Sequence, residues 1–434
     1  MTSDATEQVD VVALRRVLHA RAETAFREVA TVATLLEALS PSLARADDVL
    51  IRRGAAALDP TDVYAYPSFA ARQEAAAAAV ALGCDPTVSD DLARHGTAFT
   101  IEVPGDRPGP TIGIRFDVDA LPIVEDSSSD HLPAREGFAS TTGAMHACGH
   151  DGHAAIGVAL AERLIADRAF SGRVRFLFQP AEESVRGAPA MIAAGCADGL
   201  DVMIGLHLGE GLPARVLAAG SHGLQATEKL AIDFTGVSAH SAAAPQEGRN
   251  AIAAAATATL GLLAMSRDSR GVTNVNVGTI QGGRQSNIVP DHCRLEAEVR
   301  SDSDAVCASM LDRARRVVAG AAESWDVEHT LTRMSYASTM TSDAALVDHA
   351  YAAATSIDGV ADVRRTALMA ASDDLSLWAR TVQDCGGVAT YLVVGASSPA
   401  PHHHPRFDID ESALPVAVDW LERIVRTYPA GGLK

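Results

Sequence analysis

The fold is decided by residues 173–207, RVRFLFQPAEESVRGAPAMIAAGCADGLDVMIGLH. The apolar segments 173–178 and 202–206 predict two strands, and residues 188–194 between them predict a short helix. Strands that alternate with helices favour an α/β fold, in which a mostly parallel sheet is flanked by helices.

The same alternation continues on both sides of this stretch. Residues 111–118 predict a strand and residues 154–166 a helix upstream of it, and residues 389–394 predict a further strand downstream. At the N-terminus, good helix formers with apolar residues near helical spacing predict one long helix over residues 11–39. An Ala-rich helix over residues 70–81 follows. The larger part of the chain therefore belongs to one α/β domain.

The alternation changes from about residue 224. The elements predicted there are a strand at 229–235, a helix at 250–266, strands at 272–280 and 293–300, a helix at 303–321 and a strand at 327–333. The order βαββαβ is that of a small ferredoxin-like domain. We therefore predict a large domain in two parts, residues 1–223 and 337–434, with a smaller domain, residues 224–336, inserted between them.

The bulk properties narrow the classes of function. The chain has 434 residues and a formal net charge of −19, and this acidity disfavours nucleic acid as a partner because phosphate binding requires clustered Lys and Arg. No apolar run reaches the roughly 18 residues of a membrane span, and residues 1–10 lack the pattern of a secretory signal, so we expect no membrane association and a cytoplasmic location. The six cysteines lack CxxC spacing, which favours free thiols. Five of them are predicted as small core residues, whereas Cys148 lies in a polar neighbourhood.

Clusters of polar side chains accompany the predicted strands. They are Asp117 with Asp119, Glu182 with Glu183, His207, His402 to His404 and, just before the helix at 154–166, Cys148 with His150 and His153. Ligands of open α/β sheets bind beyond the carboxyl ends of the strands, so we expect these clusters to converge at one edge. Thiolate, imidazole and carboxylate groups together suit Zn, Mn, Co or Ni better than Mg or Ca. In the adjacent pair Glu182–Glu183, one carboxylate can bind metal while the other acts as general base.

Each of these residues also has an ordinary structural interpretation. Cys148 taken alone is more typical of a core residue, and Glu182 and Glu183 are typical of a solvated helix start. His207 taken alone is more typical of a buried, hydrogen-bonded histidine, and the histidines at 402–404 are typical of an exposed loop. All of these interpretations would have to hold together, so the convergence favours a metal site.

Six motifs in order along the chain carry a family resemblance. They are RFDVDALPI (115–123), MHACGHDGH (145–153), FQPAEES (178–184), GLH (205–207), GVSAHSAAAPQEGRNA (236–251) and HHHPRFDIDE (402–411). Together they resemble the M20 metallopeptidase family, in particular its amidohydrolase branch. The resemblance implies a large zinc-peptidase-like catalytic domain with two divalent metal ions, faced by a lid domain through which the chain forms a homodimer.

The resemblance also implies a ligand set for the metals, Mn, Zn, Co or Ni, with Mn or Zn favoured. Cys148 would bridge the two ions, and the other ligands would be His150, Glu183, His207 and a C-terminal histidine. The family pattern His-x-x-x-Phe or Tyr assigns that histidine to His403, with Phe407 as the aromatic residue. His402 and His404 remain alternatives.

Five further residues take roles from the resemblance. Glu182 would be the general base, and Asp119 would be a carboxylate behind the ligands that orients one of them. His240 would stabilise the oxyanion of the tetrahedral intermediate in the active site of the partner protomer. Asn287 and Arg300 would hold the backbone oxygen and the carboxylate of the substrate, although composition alone favours an ordinary exposed arginine at position 300.

The predicted reaction is hydrolysis of a C–N bond, most simply the amide of an N-acyl or N-aroyl amino acid that bears a carboxylate. Two alternatives stay open. The first is an aromatic aminohydrolase that releases ammonia from an anthranilate-type substrate such as a nitroanthranilate, and the second is a non-catalytic module that binds metal or peptide. A dehydrogenase and a serine hydrolase are disfavoured because no GxGxxG motif follows a strand and no GxSxG motif is present.

Overall fold

The structure is a computed structural model that describes residues 9–433. Its helices are α1 (Val11–Ala20), α2 (Val29–Leu43), α3 (Phe69–Ala81), α4 (Pro86–His95), α5 (Leu132–Glu136), α6 (His150–Ala166), α7 (Gly187–Ala193), α8 (Ala251–Leu263), α9 (Asp304–Ser324), α10 (Ala344–Ala354), α11 (Leu375–Asp384) and α12 (Ala413–Thr427). Among these described residues, every helix is too short or too polar to span a lipid bilayer.

Its strands are β1 (Leu50–Arg53), β2 (Phe99–Pro104), β3 (Arg107–Asp117), β4 (Ser171–Gln179), β5 (Val202–Leu208), β6 (Val216–Ala218), β7 (Ser221–His222), β8 (Ala226–Thr235), β9 (Thr273–Gly282), β10 (His292–Ser301), β11 (Glu328–Ala337), β12 (Asp362–Arg364), β13 (Ala367–Leu368) and β14 (Val388–Val394). The described residues form two compact units. Unit 1 comprises the residues up to His222, Met340–Met369 and the residues from Asp373 onward, and unit 2 comprises Gly223–Thr339 and Ala370–Ser372.

Unit 1 is built on an eight-stranded sheet with the order β1-β2-β4-β3-β5-β14-β6-β12. The four central strands, β4, β3, β5 and β14, are parallel, whereas β1 and β2 are antiparallel additions at one edge. β5 is buried along its whole length, as expected for a parallel strand covered by helices. The predicted α/β class with a mostly parallel sheet is confirmed. β1, β2 and α4 have no counterpart among the predicted elements.

The single helix predicted over residues 11–39 is wrong. The chain forms α1 and α2, and residues 21–28 between them are held by contacts from elsewhere: the Ala120 amide donates to the Glu23 carbonyl oxygen at 2.8 Å. The Glu23 carboxylate in turn accepts the amides of Ala30 at 3.0 Å and Thr31 at 2.8 Å. These amides would otherwise be unpaired at the start of α2, so the carboxylate stabilises a new helix N-terminus there.

Two smaller expectations also need correction. The helix expected to begin at Ala154 begins four residues earlier, at His150, so that the second half of the motif 145–153 is helical. The six cysteines are free thiols, as predicted. Of the five that were predicted as core residues, four are buried, namely Cys84, Cys196, Cys293 and Cys307, whereas Cys385 is exposed.

Unit 2 has the order β-α-β-β-α-β along the chain and a four-stranded antiparallel sheet with the order β11-β8-β10-β9. β10 alternates buried and half-buried residues, and its buried Leu295 and Val299 belong to one apolar cluster with Ala255 of α8 and Met310 of α9. Two helices therefore cover one face of the sheet. β9 and β11 are its edge strands.

Candidate metal centre

The polar clusters lie at the carboxyl ends of the parallel strands of unit 1, which share one edge of the sheet. β3 ends at Asp117 and β5 ends at Leu208, one residue beyond His207. The loop after β4 contains Glu182 and Glu183. His150 is the first residue of α6.

A thiol and two imidazoles meet at this edge. Cys148, His150 and His207 are all buried, and each offers a ligand atom within 4.8 Å of those of the other two. The Cys148 Sγ is 3.6 Å from His207 Nε2. Gly149 has a φ of +90°, a conformation that favours glycine, and it turns the chain from the cysteine into α6.

A carboxylate and a third imidazole adjoin this group. Ligand atoms of Cys148, Glu183 and His403 also lie within 4.8 Å of one another. Glu183 Oε2 is 3.4 Å from His403 Nε2, and Glu183 Oε1 is 3.9 Å from His150 Nε2. The backbone of His403 is left-handed, with a φ of +64°, and its amide donates to the Ala147 carbonyl oxygen at 2.8 Å. That hydrogen bond holds the C-terminal histidine segment against the cysteine segment.

Of the three consecutive histidines, His403 is the one beside Glu183. The His402 ring instead groups with His207 and Glu210, and its Nε2 is 3.3 Å from the Leu208 carbonyl oxygen. His404 Nδ1 accepts the Arg406 amide at 3.1 Å.

Asp119 organises the loop that carries both glutamates. Its Oδ1 accepts the Glu182 amide at 2.9 Å and its Oδ2 accepts the Glu183 amide at 3.1 Å. Its carbonyl oxygen lies 2.9 Å from His150 Nδ1, so the ring donates that proton and leaves Nε2 directed at the glutamates. Glu182 Oε2 is 3.8 Å from the same Nε2.

Burial controls the protonation of these groups. It raises the pKa of Glu182 well above its usual value, with further contributions from the charges of Asp373 and Glu183. It raises the pKa of Glu183 to about 7. Burial and the charge of Glu183 also raise the pKa of the Cys148 thiol well above its usual value, and burial lowers the pKa of His207 to about 3. Because the buried pocket penalises each charge, several anionic groups here need a compensating cation.

The side chains fit a metal centre. His150 Nε2 and Glu183 Oε1 are buried without a hydrogen-bond partner, and these two atoms face one another across 3.9 Å. Buried polar atoms are rarely left without a partner, and here both belong to residue types that bind metal. The set of sulfur, nitrogen and oxygen donors suits a borderline divalent ion.

The contact between Asp117 and His153 was not predicted from the sequence. The His153 ring donates from Nδ1 to Asp117 Oδ1 at 2.6 Å, and its Nε2 accepts the Leu208 amide at 2.9 Å. Asp117 is also paired with the buried guanidinium of Arg115. This chain of contacts fixes the end of β5 beside His207. Asp117 and His153 both belong to the polar clusters of the sequence, but they lie in separate segments, and their pairing depends on the fold.

The remaining predicted residues belong to unit 2. His240 and Asn287 are exposed and adjacent in space: the backbone of His240 pairs with that of Ile288, and the Ser241 amide donates to the Asn287 carbonyl oxygen at 3.1 Å. Arg300 lies near the other end of β10, where its Nη2 is 3.0 Å from Glu298 Oε2 and its Nη1 is 3.3 Å from Ser372 Oγ. The structure thus brings His240 and Asn287 together and separates them from Arg300.

The sequence is similar to those of several known hydrolases. Residues 113–427 match the profile described as Peptidase family M20/M25/M40. The chain is 41% identical over 327 residues to an indole-3-acetyl-aspartic acid hydrolase of Enterobacter agglomerans, covering 74% of this chain and 75% of that protein. It is 40% identical over 326 residues to a component of the p-aminobenzoyl-glutamate hydrolase of Escherichia coli K12, with the same coverage, 74% and 75%.

Solved structures share the fold. An aminobenzoyl-glutamate utilization protein from Klebsiella pneumoniae superposes with a TM-score of 0.82 at 31% identity, covering 97% of this chain and 96% of that one. The YXEP protein of Bacillus subtilis, a dinuclear metal-binding peptidase, superposes with a TM-score of 0.66 at 26% identity, covering 96% of each chain.

Proposed function

Because the chain belongs to peptidase family M20/M25/M40 and is a metal-dependent hydrolase of amide bonds, we propose that it cleaves N-acyl amino acids with an aromatic acyl group and an acidic amino acid. The two relatives support this substrate class through their names, since one acts on indole-3-acetyl-aspartic acid and the other on p-aminobenzoyl-glutamate. Each of these two substrates consists of an aromatic acyl group linked to an acidic amino acid. We also propose a cytoplasmic location for the protein.

The observation that carries the proposal is the cluster of five ligand-type side chains at one edge of the unit 1 sheet. We assign two divalent ions, Mn or Zn, to Cys148, His150, Glu183, His207 and His403. Cys148 belongs to both the group with His207 and the group with His403, which supports its role as the shared ligand. When bound, the ions supply Lewis acidity that polarises the amide carbonyl and acidifies a water molecule.

Glu182 is the proposed proton carrier. It directly precedes Glu183, and its Oε2 lies 3.8 Å from His150 Nε2, so it is placed to take a proton from the attacking water and then return it to the departing nitrogen. Asp119 fixes the direction of this side chain through the Glu182 amide. A general base held in position contributes about 10²–10⁴-fold to rate.

His240 is suited to hold the oxyanion. Its Nδ1 accepts the amides of Ala242 at 3.2 Å and Ala243 at 3.1 Å. A neutral ring whose Nδ1 accepts must carry its proton on Nε2, so the exposed side of the ring is a hydrogen-bond donor. A preorganised donor of this kind stabilises negative charge on the carbonyl oxygen of the substrate.

The positions of Asn287 and Arg300 support a homodimer in which two lids serve one active site. Asn287 precedes β10 and Arg300 is its ninth residue, so eight residue steps, about 26 Å at about 3.3 Å each, lie between the start of the strand and Arg300. An N-acyl amino acid is shorter than this length of strand, which favours a site that takes Asn287 from one lid and Arg300 from the other. Exposed apolar side chains on α8, on edge strand β9 and just before β9 are candidates for the interface. They are Leu260 (71% exposed), Leu263 (55%), Val272 (60%) and Ile280 (50%).

Arg300 is the proposed anchor for the carboxylate of the substrate. Its Nε is buried without a hydrogen-bond partner, while its two terminal nitrogens contact Glu298 and Ser372. A guanidinium fork binds a carboxylate through parallel hydrogen bonds.

The test is a substrate panel with metal-loaded protein. N-aroyl and N-arylacetyl derivatives of Glu and Asp are compared with their Ala and Lys counterparts, and with aromatic amines scored for ammonia release. We expect release of Glu or Asp, and Glu182→Gln should bind metal normally while kcat falls at least about 10²-fold. Ammonia release from the aromatic amines without amide cleavage would contradict the proposal, as would a Glu182→Gln variant that keeps full turnover.

A further inference from the structure

The loop Pro180–Gly187, which carries Glu182 and Glu183, is wound unusually tightly. Ala181 and Val185 are buried and have φ values of +59° and +58°, in the left-handed region that residues with a side chain rarely adopt. At Gly187 an added Cβ would lie 1.7 Å from the Pro180 carbonyl oxygen. Such a backbone persists only where the surrounding structure holds it.

Two buried carboxylates hold this loop by three consecutive amides. Asp119 binds the amides of Glu182 and Glu183, and the amide just before them, that of Ala181, donates to Glu28 Oε1 at 3.1 Å. The family motifs indicated a role for Asp119 but none for Glu28, which lies 153 residues from its partner in the chain.

Glu28 is fully buried and joins three segments of unit 1. Its Oε1 also accepts the Phe26 amide at 2.8 Å, and its Oε2 accepts the Thr97 hydroxyl at 2.7 Å. Phe26, like Ala181, has a left-handed backbone, with a φ of +60°. One side chain therefore binds the amides of two residues that adopt this unfavourable conformation.

We propose that Glu28 is a positioning residue for the metal centre: by binding the Ala181 amide it holds the loop that aims Glu182 and Glu183. This inference rests on the proposed roles of those two glutamates. Glu28 is not one of the five proposed metal ligands, and its contact with the loop is the hydrogen bond from the Ala181 amide. Partners behind metal ligands typically affect metal affinity or activity by about 10–100-fold.

Glutamine at position 28 can make the same contacts. Its amide oxygen can accept the amides of Phe26 and Ala181, and its NH₂ group can donate to the Thr97 hydroxyl oxygen, which is also an acceptor. Leucine has a similar size but binds none of the three. Glu28→Gln should therefore keep metal affinity and kcat within about threefold of wild type, whereas Glu28→Leu should lose about 10–100-fold in one or both.

Glu23→Leu is the matched control. Glu23 is a half-buried carboxylate in the same segment, and its side chain accepts the amides of Ala30 and Thr31 and the Thr31 hydroxyl, all of which belong to α2 rather than to the loop. Its loss should lower the midpoint of thermal unfolding and leave metal affinity unchanged. A merely structural role for Glu28 would make Glu28→Leu behave in the same way.

The decisive experiment adds Ala181→Gly to Glu28→Leu. Glycine adopts a positive φ without steric cost, so it should restore the loop in the absence of Glu28 and recover at least about threefold of the lost metal affinity, measured by chelator competition. No recovery, together with a metal affinity of Glu28→Leu equal to that of Glu23→Leu, would overturn the proposal. Metal affinity needs no substrate, so a substrate panel without turnover would refute the proposed function and leave this test intact.

Discussion

Arg15 provides the sharpest test of how unit 1 is held together. Its guanidinium is fully buried, with Nε 2.7 Å from Asp151 Oδ2, Nη2 2.8 Å from Asp408 Oδ1 and Nη1 3.3 Å from Glu411 Oε1. Asp151 directly follows His150, and Asp408 lies in the segment that follows His403. The arginine thus joins α1 to both of these segments.

The expected cost of Arg15→Met follows from this burial. Methionine keeps an unbranched apolar side chain but removes the cation that Asp151, Asp408 and Glu411 share, and breaking a buried ion pair in this way costs about 3–5 kcal/mol. For a domain of this size, about 2 °C of unfolding midpoint per kcal/mol gives a decrease of about 6–10 °C. Thermal unfolding of the metal-loaded protein at pH 7, followed by circular dichroism, measures it.

Arg16→Met is the matched control. Arg16 is the next residue and binds the same carboxylate, with Nη2 2.6 Å from Glu411 Oε2, but its side chain is 36% exposed. An exposed pair contributes about 0–1 kcal/mol, so this variant should lose about 2 °C at most. Equal midpoints for the two variants would refute the assignment of Arg15 as a buried clamp.

The pH dependence of Arg15→Met has a defined sign. Burial alone would raise the pKa of Asp151, but Arg15 and His19 outweigh it and hold that pKa well below its usual value. A depressed carboxyl pKa contributes stability that is present above the unfolded value of about 4 and is lost as the pH falls through the folded value. The part of the stability that Arg15 contributes through Asp151 should therefore be complete at pH 5 and should decrease below pH 4.

Two further predictions concern the loop Pro180–Gly187 and the end of β5. Gly187→Ala places a Cβ 1.7 Å from the Pro180 carbonyl oxygen, so the loop must move, and kcat should fall at least about 10-fold with the fold retained by circular dichroism; unchanged kinetics would mean that the loop geometry is not required. His153→Phe keeps a ring but removes both hydrogen bonds of the imidazole, and metal affinity by chelator competition should fall about 10–100-fold; an unaltered affinity would show that His153 does not position the end of β5.

The sequence predicted those parts of the molecule that depend on local pattern. The strands at 173–178 and 202–206 appear as β4 and β5, because a continuous apolar run bounded by polar loops is typical of a buried parallel strand. The six elements of unit 2 follow their predicted order because alternating residues, as in β10, are typical of antiparallel strands covered on one face.

The break between α1 and α2 could not be predicted in this way. Residues 21–28 contain neither Pro nor Gly, so their composition is compatible with a continuous helix. What ends α1 is tertiary: the Glu23 carbonyl oxygen accepts the Ala120 amide, and the Glu28 carboxylate accepts that of Ala181. Contacts between residues so far apart carry no local signal.

The residues of the candidate site also differ in whether a local sequence pattern identifies them. Family motifs led to Cys148 and His403, and the structure groups both with Glu183. The buried residues Glu28 and Arg15 were missed because their contacts are with partners in distant segments.

Anomalous diffraction from crystals grown with Mn²⁺ or Zn²⁺ tests most directly the proposal that two metal ions share Cys148. Two peaks should appear, each within bonding distance of the Cys148 sulfur, with His207 and His403 on different ions, and Cys148→Ala should weaken or abolish them. A single peak away from that sulfur, or full occupancy of two ions in Cys148→Ala, would contradict a metal centre bridged by this thiolate.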